Sequence, residues 1–225
     1  MRTTKYLRGK ILKKYDLGKF EKIRKRLKML RGAVRNTLSP SFNDNQYSLE
    51  ANPELTYTDR NISGSLMRVN HAGEIAAQGL YVGQALFARD EYTYKFLMDA
   101  SHEEFEHLEA CHRRLSELGE KESRLSPIWF VGSVIIGGYF GLKGDKSSLG
   151  FVAETERQVE NHLMGQLAKV PTKDLKTKNL LESMINDEKA HGEEAKSRGG
   201  VIKSDNVRTI MTLVSEAMKQ ISYKF

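Results

Sequence analysis

Each of four long helical patterns in this chain carries a glutamate in the middle of its apolar stripe. Burying an unpaired carboxylate is costly, so a fold that hides four of them must bring each a cation or a hydrogen-bond donor. The patterns run from about Ser65 to Ala88, Asp90 to Leu118, Ser148 to Val170 and Thr172 to Arg198, with Thr172 as the expected N-cap of the last. Gly119, Pro171 and Gly199-Gly200 supply the stops. A step of seven residues returns to within about 20° on a helix. By that test Glu74 shares a stripe with Met67, Ala77, Tyr81 and Ala85, and Glu104 lies among Leu97, Leu108, Cys111 and Leu115. Glu156 aligns with Leu149, Val152, Val159, Leu163 and Leu167, and Glu188 falls between Leu181 and Ala195. Two of the four carry a histidine three residues on, His107 and His191, each at the stripe's edge. A competing pair, Glu109 and His112, lies on polar and boundary positions and is set aside.

Height gives an independent test. In an antiparallel hairpin, residues equidistant from the turn lie level. The midpoint of Glu74 and Glu104 is position 89, inside the expected turn "ARDE". That of Glu156 and Glu188 is position 172, inside "VPTK". Two such hairpins packed together place four carboxylates and two imidazoles around one point. One Glu from each of two helices and Glu-x-x-His from each of the other two is the donor set of a carboxylate-bridged dimetal site. Oxygen-rich ligands with two imidazoles suit iron or manganese better than zinc, and iron if the chemistry uses dioxygen. Buried salt bridges remain the alternative for any one glutamate taken alone.

The remainder of the chain divides by composition. Residues 1–35 hold fourteen Lys/Arg against Asp16 and Glu21, a balance of +12, while the rest holds twenty-two against twenty-seven acids, a balance of −5. The basic character therefore belongs to an arm, residues 1–36, and no nucleic-acid partner is expected for the domain. Within the arm, Phe20, Ile23, Leu27, Leu30 and Val34 recur at helical spacing. Such an arm can lie on an anionic membrane, dock on an acidic partner, stay solvated or serve as a presequence. Residues 37–60 read as a polar linker, and 61–225 as the domain. One cysteine, Cys111, excludes an internal disulfide and any cysteine-built metal site, and suits a reducing compartment. Pro127–Leu142 carries no charge, is short for a membrane span and is rich in Gly and Ser. Residues 126–144 are expected to associate with a membrane through Trp129, Phe130, Ile135, Ile136, Tyr139 and Phe140; a crossover buried on the bundle is the alternative. A fifth helical pattern begins near Ser204-Asp205, with Val207, Ile210, Val214, Met218 and Ile221 on one face. The fold class is all-α, a ferritin-like four-helix bundle with an apolar crossover and an extra C-terminal helix.

The stretches "LMRVNHAGEIAAQGLY", "EEFEHL", "SLGFVAETERQVENHL" and "DEKAHGEEA" resemble the demethoxyubiquinone hydroxylase family of ubiquinone biosynthesis, in its bacterial branch. The resemblance covers about residues 60–225 and singles out the same six side chains: Glu74, Glu104, His107, Glu156, Glu188 and His191. It implies that they hold two iron ions, with Glu104 and Glu188 as bridges. It also implies O2-dependent hydroxylation of a polyprenyl methoxy-methyl-benzoquinol, with electrons from the quinol or an external reductase. The implied location is the inner membrane of a bacterial cell, peripheral on its cytoplasmic side, or else the matrix side of the mitochondrial inner membrane. Other ubiquinone-biosynthesis proteins are implied partners. Tyr81, Glu160 and His162 are candidates for supporting the ligands or the substrate, Glu160 by orienting a histidine. No Gly-rich dinucleotide fingerprint is present, and the Lys-rich arm departs from the bacterial pattern. Two other classes fit the residues less closely: a non-hydroxylating diiron or dimanganese bundle, and a metal-free helical interaction protein at a membrane.

Overall fold

In a computed structural model, residues 17–38, 54–201 and 204–224 are described, and all the regular structure among them is helical. The helices are α1 (Leu17–Leu38), α2 (Tyr57–Phe87), α3 (Glu91–Leu118), α4 (Ser126–Lys143), α5 (Asp145–Leu167), α6 (Leu175–Ser197) and α7 (Asp205–Lys224). α2 with α3 and α5 with α6 form two tightly packed hairpins, and α4 crosses between them. That single crossover is the arrangement of ferritin-like bundles. α2 starts two turns earlier than its apolar stripe suggests. Thr56 accepts from the Asp59 backbone N–H while Asp59 accepts from the Thr56 backbone N–H, a capping box that extends the helix into polar sequence. α6 begins at Leu175 and not at Thr172, because Asp174 caps it by accepting from the Thr177 backbone N–H.

The core is layered around the four glutamates. One heptad from each towards the end of the bundle that holds the α2–α3 turn lies a buried residue of one apolar cluster: Tyr81, Leu97, Leu149 and Ala195. One heptad the other way lies a buried residue of a second cluster: Met67, Cys111, Leu163 and Leu181. The carboxylates thus occupy a polar layer sealed on both sides by apolar ones. The two hairpins are brought into register by Asp145 at the start of α5. Its carboxylate accepts from the backbone N–H of Arg89, 2.9 Å, and of Asp90, 3.1 Å, in the turn between α2 and α3.

The apolar segment 126–144, expected from the sequence to associate with a membrane or else to lie as a crossover buried on the bundle, is a helix with two different sides. Phe130 and Phe140 are 3% and 8% exposed and point into the protein, where Phe140 stacks on Phe151. They are therefore corrected to core residues. Trp129 and Ile136 are half-buried, whereas Ile128, Val131, Ile135, Tyr139 and Leu142 form an exposed stripe. The glycines that counted against a membrane span are what let α4 lie directly on α2. A Cβ on Gly83 would sit 2.3 Å from the Val134 carbonyl oxygen, and one on Gly137 would sit 2.2 Å from that of Leu80. Backbone cannot yield as a side chain can, so Gly83→Ala is expected to cost about 1–3 kcal/mol or more in urea unfolding. Gly132→Ala, on the open side of α4 with nothing within 4 Å, should be neutral or stabilising.

Part of the basic arm belongs to the bundle. Arg26, 4% exposed, donates to the carbonyls of Ala85 and Ala88 at the end of α2 and lies over the Tyr94 ring, 4.2 Å from its centroid. A guanidinium there satisfies carbonyls left without helical partners and complements the helix dipole. Leu30 enters the same core, while Phe20 and Leu27 stay exposed. The rest of the arm and most of the linker lie outside the described residues. α7 packs on α2 and α5 through Met211, Ser215, Met218 and Ser222 and leaves Ile210, Leu213, Val214 and Ile221 exposed. Met218 therefore does not share the face of Ile210, Val214 and Ile221 expected from the sequence.

Candidate metal centre

All six side chains singled out in the sequence are drawn to the polar layer. Glu74, Glu104, Glu156 and Glu188 are each at most 4% exposed. Single donor atoms of Glu74, Glu104, His107 and Glu188 lie within 4.8 Å of one another. The arrangement of the two central carboxylates is specific. Glu104 Oε2 lies 3.2 Å from His107 Nδ1, while its Oε1 lies 3.1 Å from His191 Nδ1. Glu188 repeats the pattern, with Oε1 3.6 Å from His107 Nδ1 and Oε2 3.9 Å from His191 Nδ1. Each carboxylate therefore faces both imidazoles, one oxygen to each. Glu74 and Glu156 flank this pair, and the Tyr81 hydroxyl donates to Glu156 Oε1 at 2.6 Å.

The outer nitrogens of the two histidines are held by residues that the motif reading missed. His107 Nε2 lies 3.2 Å from Asp187 Oδ2, and His191 Nε2 lies 2.5 Å from Glu103 Oε2. Each of these acids immediately precedes a central glutamate and reaches the histidine of the opposite helix. The signal was present: both motifs read acid-Glu-x-x-His, in "EEFEH" and "DEKAH". A carboxylate on the far nitrogen fixes the ring's orientation and its tautomer and makes it a better metal ligand. Glu160, expected in that role, is not the residue found at either outer nitrogen.

The charges in this layer call for cations. Burial, reinforced by the charges of Glu104 and Glu188, pushes Glu74 well above the usual carboxylate range. Burial with the charges of Glu188 and Glu104 does the same to Glu156. Burial would also raise Glu104, but contacts from His107 and His191 outweigh it and hold that group down at about 2. Desolvation opposes charging both histidines, yet Glu104 and Glu188 push each up to about 12. With protein groups alone, then, protons on two imidazoles and on flanking carboxylates neutralise the layer. Divalent ions would take over that task and displace the protons. The Oε2 of Glu188, buried with no hydrogen-bond partner, is a further acceptor awaiting a cation. The donor set fits two hard-to-borderline divalent ions.

A cleft between α2 and α5, roofed by α7, opens onto this layer. Gly73, Ala77, Val159, His162 and Met218 are among its walls, with the four glutamates at its floor. His162, a candidate from the sequence for supporting the ligands or the substrate, lines this cleft; burial lowers its pKa to about 4, so it stands there as a neutral imidazole. Nothing lies within 4 Å of where a Gly73 Cβ would be, which leaves the passage open beside Glu74.

Residues 61–223 match the family described as Ubiquinone biosynthesis protein COQ7. A 3-demethoxyubiquinol 3-hydroxylase of Ralstonia pickettii (strain 12J) is 45% identical over 171 residues, covering 76% of this chain and 79% of that one. One of Legionella pneumophila (strain Corby) is 51% identical over 164 residues, 73% and 76% of the two chains. One of Polynucleobacter necessarius subsp. necessarius (strain STIR1) is 44% identical over 174 residues, 77% and 83%.

Proposed function

Because the chain belongs to the Ubiquinone biosynthesis protein COQ7 family, we propose that it is a 3-demethoxyubiquinol 3-hydroxylase working at a pair of iron ions. The substrate is a polyprenyl methoxy-methyl-benzoquinol, the oxidant O2, and the electrons come from the quinol or an external reductase. The observation that carries this reading is the pair Glu104 and Glu188, each facing both imidazoles at the floor of an open cleft. These two, with Glu74, His107, Glu156 and His191, would hold the ion pair. The iron pair would supply the reductive activation of dioxygen, which no side chain here can perform.

The chain's own residues do the rest. Glu103 and Asp187 orient the imidazoles, and Tyr81 holds Glu156 in place with its hydroxyl. The apolar layers above and below keep water from the reacting ring, which strengthens every electrostatic contact there. The cleft lined by Gly73, Val159 and Met218 is the route by which the quinol head would reach the glutamates. The exposed stripe Ile128, Val131, Ile135, Tyr139 and Leu142 on α4 rests on the membrane that stores this lipid. No helix among the described residues is long and apolar enough to cross a membrane. We place that contact on the cytoplasmic face of a bacterial inner membrane, as the family resemblance implies.

The test is aerobic incubation of iron-loaded protein with a short-chain demethoxyquinol and a reductant. Mass spectrometry should find one added oxygen on the ring; iron-loaded, folded protein that leaves the ring unchanged would overturn the proposal. Gly73→Leu should fill the cleft and cut hydroxylation on the order of tenfold or more, since small misplacements of a substrate are costly. Its iron content and unfolding midpoint should hold, because the site of substitution is open.

A further inference from the structure

A second set of ligand-type atoms lies at the opposite end of α3 from the hairpin turn. His71 of α2, His112 of α3 and Glu122 of the connection between α3 and α4 each offer one donor atom within 4.8 Å of the other two. Glu122 Oε1 stands 3.1 Å from His71 Nε2 and 2.5 Å from His112 Nδ1. The two rings are 6.3 Å apart and inclined at 46°, so their nitrogens converge on the carboxylate without stacking. His71 is 1% exposed, and neither of its ring nitrogens has a hydrogen-bond partner, Glu122 being off the line along which Nε2 would donate. A buried imidazole left in that condition is destabilising, and such orphans are exceptional in folded proteins. Glu122 is 38% exposed at its side chain, which gives an ion a path in and leaves room for a water.

We propose that His71, His112 and Glu122 form a mononuclear site for a divalent transition-metal ion, zinc being the best fit, separate from the dimetal centre. Two imidazoles, one carboxylate and a water make a four-coordinate zinc set. Calcium and magnesium, which take oxygen ligands, are not served by it. Burial would raise the Glu122 carboxyl, but the neighbouring imidazoles of His112 and His71 outweigh it and hold the group well below the usual range, so it is present as an anion. The ion clips the connection that leads into α4 onto both α2 and α3. Arg68 already grips the same connection, donating to Glu120 at 2.6 Å and to the Lys121 carbonyl at 2.8 Å, so the loop is built to be held.

The experiment uses full-length protein incubated with Zn2+, freed of excess ion by gel filtration and analysed for zinc and iron together. Wild type should retain one zinc per chain more than His112→Ala or Glu122→Gln, with equal iron in all three. Added Zn2+ should raise the unfolding midpoint of wild type and leave those of the variants unmoved. Glu122→Gln keeps the side chain's shape on a partly exposed connection, so its result is read on a folded chain. Equal zinc retention by wild type and both variants would overturn the proposal. So would zinc gained only in step with iron lost, since that ion would sit in the carboxylate layer. The zinc difference is read whether or not that layer carries iron, so it stands apart from the proposed hydroxylase activity.

Discussion

Glu188→Ala is expected to lower iron from about two per chain to none and to abolish quinol hydroxylation, while Glu109→Ala changes neither. The Glu188 carboxylate is 1% exposed, faces both imidazoles, and has an oxygen with no hydrogen-bond partner. Losing it removes one of the two carboxylates that would face both ions, and no neighbouring side chain can replace it. Glu109 points outward, its side chain 44% exposed and paired at 3.5 Å with Arg113 one turn on. A pair of that kind is worth little. Thermal unfolding of the metal-free chains separates a functional loss from a structural one. Glu188 contributes to the repulsion that raises Glu74 and Glu156. It also supports the charged forms of His107 and His191, so iron loss in a variant whose unfolding stays cooperative marks a loss of the site and not of the fold. If Glu109→Ala lost as much iron as Glu188→Ala, the assignment of inward and outward faces would fail.

Arg114→Met should destabilise the fold by about 3–5 kcal/mol, the cost typical of breaking a buried ion pair from one side. Arg114 is 3% exposed and ties two helices together. Its guanidinium reaches Asp174 Oδ1 at 2.7 Å, donates to Thr177 Oγ1 at 2.9 Å and meets Glu117 at 2.6 Å. Asp174, 1% exposed, is also the cap of α6, so the pair joins the last turns of α3 to the first of α6. Those are the two helices whose Glu-x-x-His motifs must face each other. Urea unfolding measures the loss, and iron binding should weaken with it. Arg113→Ala, whose side chain is 49% exposed, should stay within about 1 kcal/mol of wild type. Two adjacent arginines thus differ several-fold in consequence, and nothing in "HRRL" says which is which.

How legible the site was depended on range. Periodicity sorted Glu104 from Glu109, because a stripe of buried neighbours one heptad either side is a local property. The missed residues, Glu103 and Asp187, act across helices. Each looks like a solvated charge in its own segment and gains its role only from the histidine opposite. The helix in segment 126–144 and its buried side were hidden for a related reason. An apolar, glycine-rich run has no polar face to give its period away, and the glycines that lower its intrinsic helicity are what permit contact with α2. The early start of α2 was a different case, a Thr-x-x-Asp cap that could have been read and was passed over.

The sequence by itself determined which faces of α2, α3, α5 and α6 turn inward, and hence that four carboxylates are buried and level within each hairpin. Burial energy acts on each helix separately, so its pattern is written along the chain. How the two hairpins align with each other was decided only in three dimensions, by Asp145 on the α2–α3 turn, Arg114 on the α6 cap and the glycine contact between α4 and α2. Those contacts join residues dozens of positions apart, and their worth comes from desolvation and close approach, which exist only once the chain has folded.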